Sequence, residues 1–353
     1  MSVVFDISAL PLPVNLALFA LSAFVVWVAG ARLALIGDEI SERFRLEKEF
    51  IGLVFLATIS KLPEIVTSVT GARIESPTLV LGALFGSIAF NTAILAIADF
   101  FIVRGALTSW PRNPSNALSG VLLITLLSLI LALTLAGDPA LFGYVGAGGL
   151  ALALGFPLIV VLQRRVDRRA SWAPVDLPDE TETGILLQGR RDIAAWPTRK
   201  LLTLTVIYVA AILGAGLLLT LTADALAAQM GIGSAFVGVT FLAIATSLPE
   251  FSTTIASVRI GAYTMALANI FGSNLITVTL IAPADLAFPG GAILSQAGPA
   301  AQLGLATGIT VTAIYVAGML IRRKTKLWGA GVDSWLVLAV YLGSLVPLFL
   351  ISS

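Results

Sequence analysis

The chain has 353 residues, of which 58% are hydrophobic and only 12% are charged. Soluble globular proteins carry about a quarter charged residues, so this composition argues against that class. The net charge of +1 gives no reason to expect a nucleic-acid partner. The chain has no cysteine and no histidine, which excludes disulfides and removes the commonest metal ligands and general base. Without a nucleotide-binding loop or a soluble domain, we expect neither an enzyme nor a primary pump.

Ten apolar segments of about 20 residues predict an all-α polytopic membrane protein with ten transmembrane helices. In chain order these segments are residues 14–36, 50–72, 78–99, 117–136, 140–162, 201–221, 234–258, 263–282, 300–321 and 332–351. A charged connection, residues 37–49, separates the first two segments. The one long polar segment, residues 163–200, is too short for a domain and is interpreted as a linker. It divides the chain into two five-helix halves, residues 1–162 and 201–353.

Each half contains one copy of an internal repeat. Residues 52–99 recur as residues 238–285 with a constant shift of 186 positions, and 18 of the 48 aligned positions are identical. Residues 186 positions apart are called repeat-equivalent below. ATISKLPE at 57–64 aligns with AIATSLPE at 243–250, and FGS at 85–87 aligns with FGS at 271–273. A repeat of this kind identifies the structural unit of a fold before any single motif does.

The distribution of basic residues predicts the orientation in the membrane. With ten spans, alternate loops hold 18 of the 21 basic residues, whereas the other loops hold only Arg73. The excess of basic residues on the cytoplasmic side predicts a cytoplasmic linker and outward-facing termini, in an inner or plasma membrane. Because each half has an odd number of spans, the two repeats have opposite topology. Inverted repeats with a binding site at the midplane are common in secondary transporters.

Two glutamates within the apolar segments are the first candidates for function. Glu64 and Glu250 each follow a proline, Pro63 or Pro249. A charge at membrane depth is costly and marks a substrate or ion path by default. Proline also removes a helix hydrogen bond, so a carboxylate and free carbonyl oxygens are available at one depth. Hard cations prefer such oxygen ligands, although a kink with a neutral, hydrogen-bonded glutamate is the simpler alternative.

Hydroxyl and amide side chains accompany both glutamates. Ser60, Thr246 and Ser247 lie three or four residues before a glutamate, on the same helix face. In the third and eighth segments, Ser87 with Asn91 and Ser273 with Thr277 each form an i, i+4 pair. Taken one by one, such residues are also ordinary packing residues of membrane helices. Gly82, Gly86 and Gly272 are expected to allow close backbone approach. Asn269 and Asn274 are expected to lie off the ligand face, and Asp99 and Asp285 are expected to be interfacial rather than ligands.

The residues ATSLPE at 245–250 together with NIFGSN at 269–274 resemble an α-repeat of the cation/Ca²⁺ antiporter superfamily, which includes the Na⁺/Ca²⁺ exchangers. The first repeat is a weaker match, and the two repeats cover about 96 residues of the chain. The resemblance implies that Glu64 and Glu250 are the central cation ligands. It implies helper ligands at Ser60, Ser87, Asn91, Thr246, Ser247, Ser273 and Thr277. It also implies exchange of Ca²⁺ or another cation against Na⁺, K⁺ or H⁺ by alternating access, with inorganic cations as partners and no cofactor.

Lys61 departs from this pattern, because the family usually has a small hydroxyl residue at that position, as at Ser247 in the second repeat. Lys61 precedes Glu64 by three residues and shares its helix face. Two ionised glutamates and one ammonium give a formal charge of −1. We therefore expect Lys61 to pair with Glu64 and to replace one bound monovalent cation. Such a site should not bind Ca²⁺ tightly, because Ca²⁺ requires several anionic oxygen ligands. A proton carrier coupled to Glu64 and a snorkelling lysine without a role remain alternatives.

A second departure lies at Thr277, where the family often has Asn or Asp. Two other functions also remain open. One is a transport-incompetent or regulatory homologue in which Lys61 and Glu64 form a fixed salt bridge. The other is a transporter of an organic or anionic solute that Lys61 engages.

Overall fold

The computed structural model describes residues 7–43, 61–103, 105–111, 114–141, 145–169, 193, 195–259, 261 and 263–352. Within these residues, seven helices are long and apolar enough to cross a membrane, and a bent pair of shorter helices makes an eighth. The prediction of an all-α polytopic membrane protein is confirmed. Residues 50–60 of the second expected span, including Ser60, lie outside the described residues.

The first half contains five helices and a small hairpin. The helices are α1 (Leu12–Arg43), α2 (Leu62–Arg73), α3 (Pro77–Phe101), α4 (Ser115–Ala136) and α5 (Ala147–Arg169). Proline near the N-termini of α2 and α3 is favourable, because the first turn of a helix does not need its N–H groups. Gly137, with φ +87°, ends α4 and leads to the antiparallel strands β1 (Ala140–Leu141) and β2 (Val145–Gly146).

The second half is broken into shorter pieces around its proline-glutamate pair. It contains α6 (Thr198–Met230), α7 (Ser234–Val237), a π-helical turn (Gly238–Leu242), α8 (Ala243–Thr246), α9 (Leu248–Arg259), α10 (Tyr263–Thr279), α11 (Ile281–Ala287), α12 (Pro299–Ile321) and α13 (Val332–Ser352). The segment from α7 to α8 and helix α9 meet at an angle of 50°. Ser247 lies at this break, two residues before Pro249.

Helix boundaries recur at the repeat spacing. α2 and α9 each have 12 residues, and both their first and last residues are 186 positions apart. α1 and α6 begin at repeat-equivalent residues, as do α3 and α10. The short 3₁₀ helices Leu107–Ser109 and Ile293–Gln296 also begin 186 positions apart. The repeat therefore extends beyond the 48 aligned residues to the first helices and the loops.

Several predicted boundaries were wrong. The connection expected at residues 37–49 is helical as far as Arg43, and the linker expected at residues 163–200 begins with helix as far as Arg169. Charged residues at these ends continue the helices beyond their apolar segments. The fifth segment was expected to be helical from Ala140, but its first residues form β1, and α5 begins at Ala147.

Helix α3 lies at the centre of the molecule. In its apolar segment 89% of the residues are buried, compared with 22% in the apolar segments of α1, α4, α6 and α13. Exposed apolar side chains on these outer helices, such as Val206 and Leu350, are suited to lipid contact. α3 packs against α12 and α13 and against the broken segment from α7 to α9. Residues of α3 and of the broken helix therefore lie together in the buried interior of the protein.

Glycine allows α3 to approach the broken helix closely. A Cβ atom on Gly82 would lie 2.7 Å from the carbonyl oxygen of Ala235, and one on Gly86 would overlap the backbone of Val239. The expectation of close approach is correct for these two residues. It is wrong for Gly272, because a Cβ atom there would meet nothing within 4 Å. The repeat-equivalent residues Gly86 and Gly272 thus have different surroundings.

Candidate functional site

The two candidate glutamates lie at the N-termini of two short helices. Glu64 is the third residue of α2, and Glu250 is the third residue of α9. Pro63 and Pro249 occupy the second positions, and Pro249 has no N–H for the carbonyl of Ala245 four residues earlier. The N-terminus of a helix carries a partial positive charge, which stabilises a carboxylate in the first turn. Each proline-glutamate pair therefore places a carboxyl side chain in the first turn of a short helix.

Lys61 joins the two glutamates. Its Nζ atom lies 2.6 Å from Oε1 of Glu64 and 2.8 Å from Oε1 of Glu250. The three residues are almost completely inaccessible, with exposed fractions of 0% for Lys61, 2% for Glu64 and 4% for Glu250. The expected pairing of Lys61 with Glu64 is observed. The structure adds the contact with Glu250, so that one ammonium connects carboxylates from both halves of the chain.

The formal charge of this cluster is −1 when all three groups are ionised. A buried charge is costly unless it is paired and hydrogen-bonded, and here two carboxylates share one cation. In the described part of the chain, the second oxygen of each glutamate, Oε2, has no hydrogen-bond partner. The side-chain oxygens Oδ1 of Asn91 and Oγ of Ser247 are also buried without a partner. These are four candidate oxygen ligands on residues that the sequence predicted for the site.

The other predicted helper residues lie on α3, α8 and α10. Oγ of Ser273 is 3.3 Å from Oε1 of Glu250. The hydroxyls of Ser87, Thr246 and Thr277 are buried and donate to backbone carbonyls three or four residues earlier. Each of these hydroxyls satisfies its own donor within the helix and keeps an oxygen lone pair available. Ser273 is thus the only one of these four hydroxyl groups that the structure places in hydrogen-bond distance of a glutamate.

Asn274 was ranked too low from the sequence. Nδ2 of Asn91 donates to Oδ1 of Asn274 at 2.9 Å, and Nδ2 of Asn274 donates to the carbonyl of Ile88 at 3.2 Å. Because the repeat aligns Asn274 with Ile88, comparison of the copies gave no sign of this role. Asn269 donates to the hydroxyls of Thr253 and Thr254 in α9.

The first helix of each half covers the proline-glutamate turn of the other half. A Cβ atom on Gly30 of α1 would lie 2.6 Å from Cγ of Pro249. A Cβ atom on the repeat-equivalent Gly216 of α6 would lie 2.8 Å from Cγ1 of Val66 in α2. α1 and α6 also pack along each other, which encloses the cluster from one side.

Asp99 and Asp285, which were expected to be interfacial, each accept hydrogen bonds from both halves of the chain. Both are buried, and each accepts hydrogen bonds from two backbone N–H groups. Asp99 binds the N–H of Leu107 in its own half and that of Gly331 in the other half. Asp285 similarly binds the N–H of Ile293 and that of Gly146. Each aspartate therefore connects the end of α3 or α11 to the start of the fifth helix of the opposite half.

Residues 14–172 and 200–350 match the family described as sodium/calcium exchanger protein. This match covers most of the chain. The chain belongs to this family. It is a family of transporters rather than enzymes, in agreement with the sequence-based resemblance.

Comparisons with individual proteins agree with this match and show the fold. The inner membrane protein YrbG of Escherichia coli K12 is 26% identical over 271 residues, which cover 75% of this chain and 77% of YrbG. The solved structure of the H⁺/Ca²⁺ exchanger CAX superposes with a TM-score of 0.66 at 14% identity, over 95% of this chain and 87% of CAX. The sodium-calcium exchanger NCX_Mj gives a TM-score of 0.57 at 17% identity, over 95% and 99% of the two chains. At such identities the structural likeness shows a common fold.

The two proline-glutamate pairs and Ser273 are parts of this site that the sequence predicted. The contact between Lys61 and Glu250 was missed, although a signal existed. Lys61 is repeat-equivalent to Ser247, which lies three residues before Glu250. A long side chain at this position, in a fold whose two copies face each other, can reach both carboxylates.

Proposed function

We propose that this protein is a secondary-active cation antiporter that exchanges Ca²⁺ or another cation against Na⁺ or H⁺ at a site shared by Glu64 and Glu250. The observation that supports this most directly is the convergence of the two carboxylates on one nitrogen atom. The unpartnered oxygens of Glu64, Glu250, Asn91 and Ser247 supply further ligands for a hard cation. The ligands come from both halves, so movement of one half against the other changes access to the cation.

The proposed topology has ten membrane-spanning helices in two inverted halves. It is supported by contacts between repeat-equivalent helices. Near the start of α1, Asn15 binds Gln229 near the end of α6, whereas Arg43 at the end of α1 binds Thr198 at the start of α6. α1 and α6 therefore run antiparallel, as inversion of the repeat requires. With the basic linker in the cytoplasm, both termini face outward. The name of the relative YrbG agrees with an inner-membrane location.

In this proposal Lys61 replaces one bound monovalent cation. Its ammonium occupies the position between the two carboxylates that a cation would otherwise neutralise, and it leaves a net charge of −1. One further positive charge neutralises the cluster. A divalent ion requires that the ammonium leave the carboxylates, which costs two short, buried ion pairs.

The same two ion pairs favour a second candidate function. In a transport-incompetent or regulatory homologue, Lys61 would close the site permanently as a fixed salt bridge. Its complete burial and its contacts with both glutamates fit this function as well as transport. The distinction between the two candidates is whether a cation can replace the ammonium.

Counterflow in proteoliposomes tests the proposal. Purified protein is reconstituted with a high internal concentration of Na⁺, K⁺ or Ca²⁺, and uptake of the labelled ion is measured at two pH values. We expect uptake that depends on the internal ion for at least one member of the panel. Failure of every cation, under conditions in which the protein remains folded, would support the fixed salt bridge. Uptake of an organic or anionic solute instead would contradict the assignment of cations as substrates.

A further inference from the structure

A second buried acidic pair lies at the end of the molecule that carries the β1–β2 hairpin. Asp138 follows α4, and Asp285 belongs to α11. Their exposed fractions are 6% and 1%. A Cβ atom built on Gly146 would overlap Oδ2 of Asp138 and would lie 3.1 Å from Oδ2 of Asp285. Both Oδ2 atoms therefore lie close to the same point beside Gly146.

Three of the four carboxylate oxygens of this pair accept a backbone hydrogen bond. Oδ1 of Asp138 accepts the N–H of Gly148 at 2.8 Å, and Oδ1 of Asp285 accepts the N–H of Ile293 at 2.6 Å. Oδ2 of Asp285 accepts the N–H of Gly146. The fourth oxygen, Oδ2 of Asp138, is buried and has no hydrogen-bond partner among the described residues. A buried acceptor without a donor is costly, so this atom requires one.

No protein cation balances the pair in the described part of the chain, where neither carboxylate forms an ion pair with a lysine or arginine. The repeat-equivalent residue Asp99 differs, because Nζ of Lys326 lies 3.4 Å from its Oδ1. Of the elements packed against α11, α2 carries Glu64, which belongs to the central site, and Arg73, whose side chain is exposed. The charged residues of α5 lie at its opposite end, and α10 and the 3₁₀ helix Ile293–Gln296 carry none.

We propose that Asp138 and Asp285 bind one proton, shared between their Oδ2 atoms. A shared proton supplies the missing donor and removes one of two adjacent negative charges. Two buried carboxylates in one site cannot both ionise without strong repulsion. A metal ion fits less well. Three backbone N–H groups point at the carboxylates, and Oγ of Ser295, which is bonded to the backbone of Asp138, is the one side-chain hydroxyl beside them among the described residues. Hard cations require more oxygen ligands than this.

The proton controls a contact between the halves of the chain. Asp285 belongs to the second half, and Gly146 and Gly148 precede or begin α5 of the first half. With the proton bound, the pair connects α11 to the start of α5 through one continuous hydrogen-bond network. Without it, two buried anions face each other at the same point. The pair is therefore a proton-binding site separate from Glu64 and Glu250, and its existence does not depend on which ion is transported.

Infrared spectroscopy of the purified protein tests the site directly. An unperturbed aspartate is ionised at pH 7, so a carboxyl C=O stretching band at that pH reports a retained proton. We expect the parent-minus-variant difference spectrum to show one such band for Asp138→Asn and for Asp285→Asn. The variant Thr222→Val is the control, because it removes a buried hydroxyl and leaves every carboxyl group in place, and its difference spectrum should lack the band. The second variant of the pair keeps the test valid if the first does not fold. Absence of the band in both difference spectra would overturn the proposal.

Thermal unfolding at several pH values gives a second readout. Above about pH 4 the unfolded chain releases this proton, whereas the native pair keeps it, so native stability falls as the pH rises. We expect Asp138→Asn to remove a decrease of roughly 7 °C in apparent Tm between pH 5 and pH 9 that the parent shows. Thr222→Val should retain that decrease. An identical pH slope in parent and Asp138→Asn would contradict the proposal. Saturable Na⁺ or Ca²⁺ binding that Asp138→Asn abolishes would also contradict it, because it would identify a metal site.

Discussion

At the scale of single residues, Lys61 decides how much charge the central site offers a cation. Lys61→Ser restores the hydroxyl found at the repeat-equivalent Ser247 and raises the formal charge of the site from −1 to −2. We expect affinity for Ca²⁺ to rise at least about tenfold, which corresponds to about 1.4 kcal/mol. Isothermal titration of Ca²⁺ and Na⁺ into the purified variant measures this change. Lys61→Arg, which keeps the charge, is the control and should not gain Ca²⁺ affinity.

The same variant distinguishes the remaining roles of Lys61. If Lys61 is a proton carrier, Lys61→Ser should abolish the pH dependence of transport without improving Ca²⁺ binding. If Lys61 is a bystander, neither property should change. Removal of one partner of a buried ion pair costs about 3–5 kcal/mol, so the variant should also unfold more easily in cation-free buffer. Added cation should restore its stability, since a ligand of the native state stabilises it.

Part of the central site could be predicted from residue types. Glu64 and Glu250 were identifiable because a repeated carboxylate within an apolar segment has few structural explanations. The contact between Asn274 and Asn91 was not, because it joins two helices from different halves and has no counterpart in the first repeat. The buried positions of Asp99 and Asp285 were also missed. A carboxylate near the end of an apolar segment looks the same in sequence whether it meets solvent or a loop from the other half.

At the scale of elements, the repeat-equivalent glycines of α3 and α10 provide a matched comparison. Gly86→Ala would place a methyl group against the backbone of Val239, which cannot move aside as a side chain can. We expect a loss of about 1–3 kcal/mol, seen as a lower apparent Tm in detergent. Gly272→Ala meets open space and should be neutral or stabilising by up to about 1 kcal/mol, since alanine favours helix. Equal loss in both variants would contradict the described packing of α3 against the π-helical turn.

The helix break before Glu250 could be predicted only in part from the sequence. Pro249 predicts a kink, and the bend occurs two residues earlier, at Ser247. The π-helical turn at Gly238–Leu242 had no signal of its own, because it depends on the close approach of α3. The helix ends predicted for α1, α5 and α6 from the apolar segments alone also differ by several residues from the observed ends. Charged residues continue these helices, and hydropathy does not detect them.

At the scale of the whole molecule, the orientation is tested by cysteine accessibility, which is convenient because the chain has no cysteine. The basic loops predict that Ser171→Cys and Thr325→Cys lie in the cytoplasm, and that Ala140→Cys faces outward. In intact cells an impermeant maleimide should label only the Ala140 variant. Labelling of the cysteine at position 171 in sealed cells would refute the predicted orientation.

The central claim is that Glu64 and Glu250 form one cation site with ligands from both halves. Its most direct test is ion exchange by proteoliposomes that contain Glu64→Gln, Glu250→Gln or the double variant, all monodisperse in detergent. Glutamine keeps the size of the side chain but removes the charge. If the site is shared, each single variant abolishes cation-dependent exchange, and the double variant is no worse than either. Robust exchange by either single variant would contradict the claim.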